Sequence, residues 1–138
     1  MPVAVLVLIC LVSPLVVLAE TSKSEAVARM QLVERGEYLV TAISMCGYCH
    51  TPRDSKGRLV QYKSFQGAVI PVTPPKGTDW ALIAPSNLGF VGYNDEDALR
   101  LLTEGIKRDV SKTKPPMPPY RFNQEDAEAV VAFLRSVR

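Results

Sequence analysis

The stretch Cys46-Gly47-Tyr48-Cys49-His50 decides how the rest of the chain is read. On a helical turn, spacings of i, i+3 and i+4 bring both sulfurs and the imidazole to one face. Three chemistries use such a face. Two thiols can add to the vinyl groups of a haem while the adjoining imidazole binds its iron. The same trio can ligate zinc, although a structural zinc site needs a closed set of ligands. A Cys-x-x-Cys pair at a helix start can also carry a low-pKa thiol for disulfide exchange.

The surroundings discriminate among these. The chain has one histidine, and its third cysteine, Cys10, lies in an apolar leader, so a closed zinc set is not at hand. A redox dithiol should follow a strand inside a βαβ unit. Upstream of Cys46, however, apolar residues recur at Ala26, Val27, Met30, Val33, Leu39, Val40 and Ile43. Intervals of three and four predict a helix running up to the motif, with Ser24 as its cap and Glu25 in its first turn. Gly36 interrupts this pattern at about 1 kcal/mol relative to alanine, so it marks either a break between helices or a point of close approach. A c-type haem is the favoured reading, with a thioredoxin-like thiol-disulfide isomerase using Cys46 and Cys49 as the alternative.

Composition fits one small domain behind a leader: 138 residues, 47% of them apolar and 22% charged. Residues 1–19 carry no charged side chain and read as a signal peptide or an N-terminal membrane anchor, with Val17-Leu18-Ala19 resembling a cleavage site. Residues 20–34 form a polar spacer, Glu20 to Lys23, and the start of the first helix. A net charge of +2, with acidic and basic residues interspersed, excludes a nucleic-acid stripe.

Beyond the motif, Thr51 to Arg58 is a charged turn, and prolines and glycines dominate from Phe65 to Gly92. Loops this long are unusual in a compact domain unless they wrap a large cofactor. Asn94 caps a helix with Asp95, Glu96 and Asp97 in its first turn, and Ala98, Leu99, Leu102 and Ile106 should be buried. Gly105 ends that helix. Asn123 caps the last one, whose apolar stripe is Ala127, Val130, Val131, Leu134 and Val137, widened by Phe133.

Haem iron bound by one histidine has a second axial position, and the ligand there separates carriers from oxygen binders and catalysts. Bis-histidine ligation within the chain is excluded by the single His50. Of the four methionines, Met1 is in the leader, Met30 on the first helix and Met45 next to Cys46. Met117 remains, framed by Pro115, Pro116, Pro118 and Pro119, which restrict its backbone. A core methionine on a stiff surface turn is the plainer account of the same residues.

Several segments together resemble the class I monohaem cytochromes c, and more narrowly the cytochrome c domains of bacterial membrane-associated dehydrogenases. They are Arg35-Gly36-Glu37-Tyr38-Leu39, Cys49-His50-Thr51-Pro52, Phe65-Gln66-Gly67, Ala84-Pro85-Ser86-Asn87-Leu88, Gly92-Tyr93-Asn94-Asp95-Glu96-Asp97 and Pro115-Pro116-Met117-Pro118. The resemblance covers residues 35–138, read as the cytochrome c domain. It implies an all-α cytochrome c fold of three to four main helices, with long irregular loops round one covalent haem. It also implies that the first and last helices cross at Gly36 and Phe133, with Tyr38, Leu39, Val130 and Leu134 around them. A backbone carbonyl should orient His50, with Pro85 the first candidate and Pro52 the second.

The expected function is one-electron transfer by a single c-type haem bound through Cys46 and Cys49, with His50 and Met117 as axial iron ligands. The chain is then an exported protein, periplasmic or anchored through residues 3–19 to the outer face of the cytoplasmic membrane, and no enzyme by itself. Its partners are redox proteins: a dehydrogenase, an oxidase or another cytochrome. A haem sensor with a labile sixth ligand is a further alternative. Tyr48, Tyr120 and Arg121 are expected near the haem, as packing and propionate contacts. Lys56, Arg58, Lys63, Lys107, Arg108, Lys112 and Lys114 are candidates for a charged docking face.

Overall fold

The computed structural model describes residues 14–137, with side chains from residue 20 onward. The predicted leader therefore lies largely outside the described residues. No helix among the described residues is long and apolar enough to cross a membrane. Among the described residues there are four α-helices and very little strand, an all-α architecture consistent with the expected cytochrome c fold.

Helix α1 spans Pro14–Tyr38 and takes in Glu20 to Lys23, which the sequence reads as a spacer. Ser24 accordingly sits inside the helix and does not cap it. The helix continues through Glu20 to Lys23 because good helix formers stand there, yet this polar stretch has no apolar period to announce it. Val27 and Met30, expected on a buried face, are exposed. Burial begins only at Leu32 and Val33 and becomes complete at Gly36.

Gly36 is a close-approach residue and not a break. A Cβ there would lie 1.9 Å from the Ala129 carbonyl oxygen and 2.8 Å from Phe133 Cβ. The partner helix is α4, Gln124–Ser136, and α1 with α4 forms the most extensive interface between elements. Beside it Leu39 and Val40, which directly follow α1, join Val130 and Leu134 of α4 in the core, each almost fully buried. Arg35 bridges to Asp126 at 3.0 Å beside the contact. Tyr38 stays outside, half exposed with the Arg35 guanidinium over its ring.

After Tyr38 the helix widens into a π-helical turn, Leu39–Ile43, closed by the Ser44 N–H donating to the Leu39 carbonyl at 2.8 Å. Met45 then takes a left-handed conformation (φ 51°) and redirects the chain into the short helix α2, Cys46–His50. Helix α3, Asp95–Glu104, is capped by Asn94, whose side chain accepts from the Asp97 N–H at 2.7 Å. Gly105 ends it in the left-handed region. Its buried face is Ala98, Leu101 and Leu102. Leu99 is only partly buried, and Ile106 lies past the helix, bridged to Lys112. Asn123 caps α4 in the same way, through the Asp126 N–H at 2.8 Å.

Between α2 and α3 the chain is irregular except for two 3-10 turns and a minimal antiparallel pair, β1 (Ala68–Val69) with β2 (Ile83–Ala84). The sequence has no strand signal there, because a two-residue strand is too short to show alternation. Phe65 anchors the region, its ring edge-on to Phe133 of α4 at 6.1 Å.

Candidate functional site

A cavity of about 490 Å³ lies between α2, the hairpin, α3, α4 and the Pro-rich loop. That volume is in the range of cofactor sites, roughly 300–1,000 Å³, and the lining is mostly apolar, as such sites are. Cys46, Cys49, His50 and Met117, singled out from distant parts of the sequence, all line it. The floor is made by Leu101 and Leu102 of α3 and by Val130 and Leu134 of α4. The α1–α4 crossing at Gly36 therefore positions two side chains of the cavity wall.

His50 is the best-defined polar group of the site. Its Nδ1 lies 2.7 Å from the Pro85 carbonyl oxygen. A carbonyl only accepts, so Nδ1 carries the proton and Nε2 keeps the free lone pair. Burial holds the imidazole below its ordinary pKa, partly offset by the bond to Pro85. The ring is thus kept neutral, the state a metal ligand requires. Of the two prolines, Pro85 supplies the carbonyl; that of Pro52 is taken by the Val60 N–H at 2.9 Å.

The Pro85 segment is itself clamped. A Cβ on Gly67 would meet Ser86 N at 2.8 Å and the Ala84 carbonyl oxygen at 2.9 Å. Gly67 also has φ +85°, and its N–H donates to the His50 carbonyl at 2.8 Å. Ser86 Oγ donates to the Phe65 carbonyl, which also accepts from the Asn87 and Leu88 N–H groups. Thr51, fully buried beside His50, accepts from the Phe65 N–H through Oγ1. The histidine is therefore gripped through its ring nitrogen and its own carbonyl by one folded segment.

Both cysteines are half-buried free thiols. Burial, the largest influence, pushes the Cys46 thiol up to about 11. Among the described residues no strand precedes it; the approach is α1 and the π-turn. Among the described residues, no group of three or more His, Cys, Asp and Glu side chains is arranged to hold a metal ion.

Met117 lines the cavity from a tight turn, its N–H donating to the Lys114 carbonyl at 3.1 Å. The Ala81 N–H donates to the Pro115 carbonyl at 2.8 Å, tying this loop to the segment after Trp80. Tyr48 and Tyr120 also line the cavity. Arg121 does not; its guanidinium turns to the carbonyls of Pro119 and Tyr120. Arg53, not anticipated, lies over the Tyr48 ring at 4.4 Å.

The residues present fit a haem on several counts. The donor set is two thiols, a neutral imidazole with one free nitrogen and a thioether, all on one cavity. Two buried side-chain oxygens of its lining, Ser44 Oγ and Asn87 Oδ1, have no hydrogen-bond partner within the protein. The rim is more apolar than the sequence suggested: Met45, Ile83 and Val91 line the cavity yet are well exposed. Of the seven basic candidates for a docking face, only Lys107 and Lys114 reach the cavity lining. Arg58 is engaged with Asp54, and Arg108 with the Gly92 carbonyl.

No family model matches the chain. It is 30% identical over 112 residues to a diheme cytochrome c-type protein of Cereibacter sphaeroides, a match covering 75% of this chain and 35% of the relative. The chain thus spans about a third of the length of the curated relative it matches. Sequence and helical architecture together relate the chain to the c-type cytochromes.

Proposed function

We propose that the protein is a one-electron carrier holding a single c-type haem. In this reading Cys46 and Cys49 form its thioether links, and His50 Nε2 and the Met117 sulfur are its axial ligands. The bound haem supplies an iron that alternates between ferrous and ferric states. The protein supplies orientation, burial and a thioether ligand, which raises the reduction potential.

The observation that carries this reading is the Pro85–His50 bond, which leaves Nε2 unprotonated on a residue that lines the same cavity as Met117 and both cysteines. Pro85 fixes the tautomer and ring plane, as expected for a metal-bound imidazole. The prolines round Met117 limit its freedom, so little ordering entropy remains to be lost when it binds. A single haem follows from the single Cys-x-x-Cys-His motif, whereas the relative is named as a diheme protein. Disulfide exchange is the weaker reading, since its attacking thiol should be low in pKa and Cys46 is held high by burial.

Electrons enter and leave through redox protein partners: a dehydrogenase, an oxidase or another cytochrome. The protein acts outside the cytoplasm, in the periplasm or held at the membrane by residues 3–19. Electron-transfer encounters use small interfaces, and the exposed Met45, Ile83 and Val91 offer one at the cavity mouth.

The test is a haem stain after denaturing electrophoresis of protein made with a cytochrome c maturation system, followed by Met117→Ala. Covalent haem is expected, and Met117→Ala should lower the potential and admit carbon monoxide to the reduced iron. Absence of covalent haem refutes the proposal. An unchanged visible and near-infrared spectrum in the variant removes Met117 as ligand.

A further inference from the structure

We propose that Tyr120 is a positioning residue that latches the Met117 loop against the Cys46–His50 turn and sets how readily the sixth coordination position opens. The inference rests on the ligation proposed above and goes beyond it. Tyr120 lies three residues after Met117, and its hydroxyl donates to the Ser44 carbonyl, 76 positions away, at 2.9 Å. Ser44 lies two residues before Cys46, the first thiol of the motif. One side chain thus joins the loop that bears the thioether to the turn that bears the thiols.

Two features give this bond weight. First, the loop is poor in backbone donors. Pro115, Pro116, Pro118 and Pro119 have no N–H, and the N–H of Met117 is spent within the loop on Lys114. Its upstream end is held by the Ala81 N–H on the Pro115 carbonyl, and its downstream end by Tyr120. Second, the tyrosine ring is fixed in place. It stacks on Phe122 at 5.2 Å and 17°, and Phe122 packs on the core and donates its N–H to Leu102 of α3. The acceptor is held in place as well, because Ser44 caps the π-turn through its own N–H on the Leu39 carbonyl.

The test compares Tyr120→Phe with the wild-type holoprotein and with Tyr62→Phe, a control at an exposed tyrosine. Loss of one such bond shifts the loop's opening equilibrium by about fivefold. In Tyr120→Phe, carbon monoxide should therefore enter the reduced protein about fivefold faster. The Met117 amide should exchange its hydrogen faster by a similar factor, while amides of the α1–α4 crossing keep their rates. Equal rates in Tyr120→Phe and wild type, or a uniform acceleration at every amide, would overturn the latch. If the wild type lacks a sulfur-to-iron band, the ligation proposal fails on that count. The latch is then still decided by exchange at Met117.

Discussion

Gly36 and Gly47 both lie in helices, and helix propensity alone says that alanine should improve each by about 1 kcal/mol. The structure predicts opposite signs. At Gly36 a methyl would lie 1.9 Å from the Ala129 carbonyl oxygen, 2.6 Å from its carbon and 2.8 Å from Phe133 Cβ. Non-bonded carbons rest at about 3.5–4.0 Å, so α1 and α4 would have to part by roughly 1.5 Å. None of the obstructing atoms is the end of a flexible side chain, and two belong to backbone. Overpacking of this kind reaches about 3 kcal/mol, so the net effect of Gly36→Ala is a loss of about 2 kcal/mol, or about 8 °C in Tm. At Gly47 the nearest atoms are 3.5 Å away, an ordinary contact, and Gly47→Ala should be neutral or stabilising by up to about 1 kcal/mol. Urea unfolding followed by far-UV circular dichroism measures both midpoints, with the slope as a check that only stability has changed. A Gly36→Ala midpoint at or above the wild-type value would refute the close-approach reasoning.

Two further outcomes follow from the caps and from the histidine. Asn123→Ala strands the Asp126 N–H at the start of α4 and should cost about 1 kcal/mol in the same urea assay. In the haem-free chain, burial keeps His50 below its ordinary pKa of 6.5, so the unfolded state takes up a proton before the folded state does. Stability should be full above about pH 6.5 and decline as the pH falls below it. A His50→Gln variant should lose that part of the decline, and an unchanged pH profile would refute the assignment.

What the sequence discloses depends on whether a physical rule acts over a few residues or across the chain. Asn94 and Asn123 announce their helices because a cap and its acidic first turn are local. Gly36 is flagged by its cost in a helix, but only the approach of Ala129 distinguishes close contact from a break. The helical continuation through Glu20 to Lys23 is hidden because a polar helix has no apolar period. Leu101 displaces Leu99 in the core because α3 is buried by what packs on it and not by its own spacing. At the site, Cys46, Cys49, His50 and Met117 are legible from residue type, and the structure places all four on one cavity. Pro85 prevails over Pro52 through the fold of Gly67 and Ser86 against Phe65, a contact among segments that no local pattern encodes. The apolar rim at Met45, Ile83 and Val91 escapes notice because isolated apolar residues in loops look like core.

The π-turn at Leu39–Ile43 separates two tasks of one helix. An α-helix advances about 100° per residue, so one residue added to its ladder rotates everything downstream by that angle. Upstream of the turn, the phase of α1 is dictated by Gly36 against α4. Downstream, the phase is dictated by the need to aim Cys46, Cys49 and His50 into the cavity. A continuous α-helix would have to satisfy both with a single phase. The wide turn and the left-handed Met45 after it together act as an angular offset between them, so the packing of the helix pair and the aim of the cavity-facing residues can be adjusted independently.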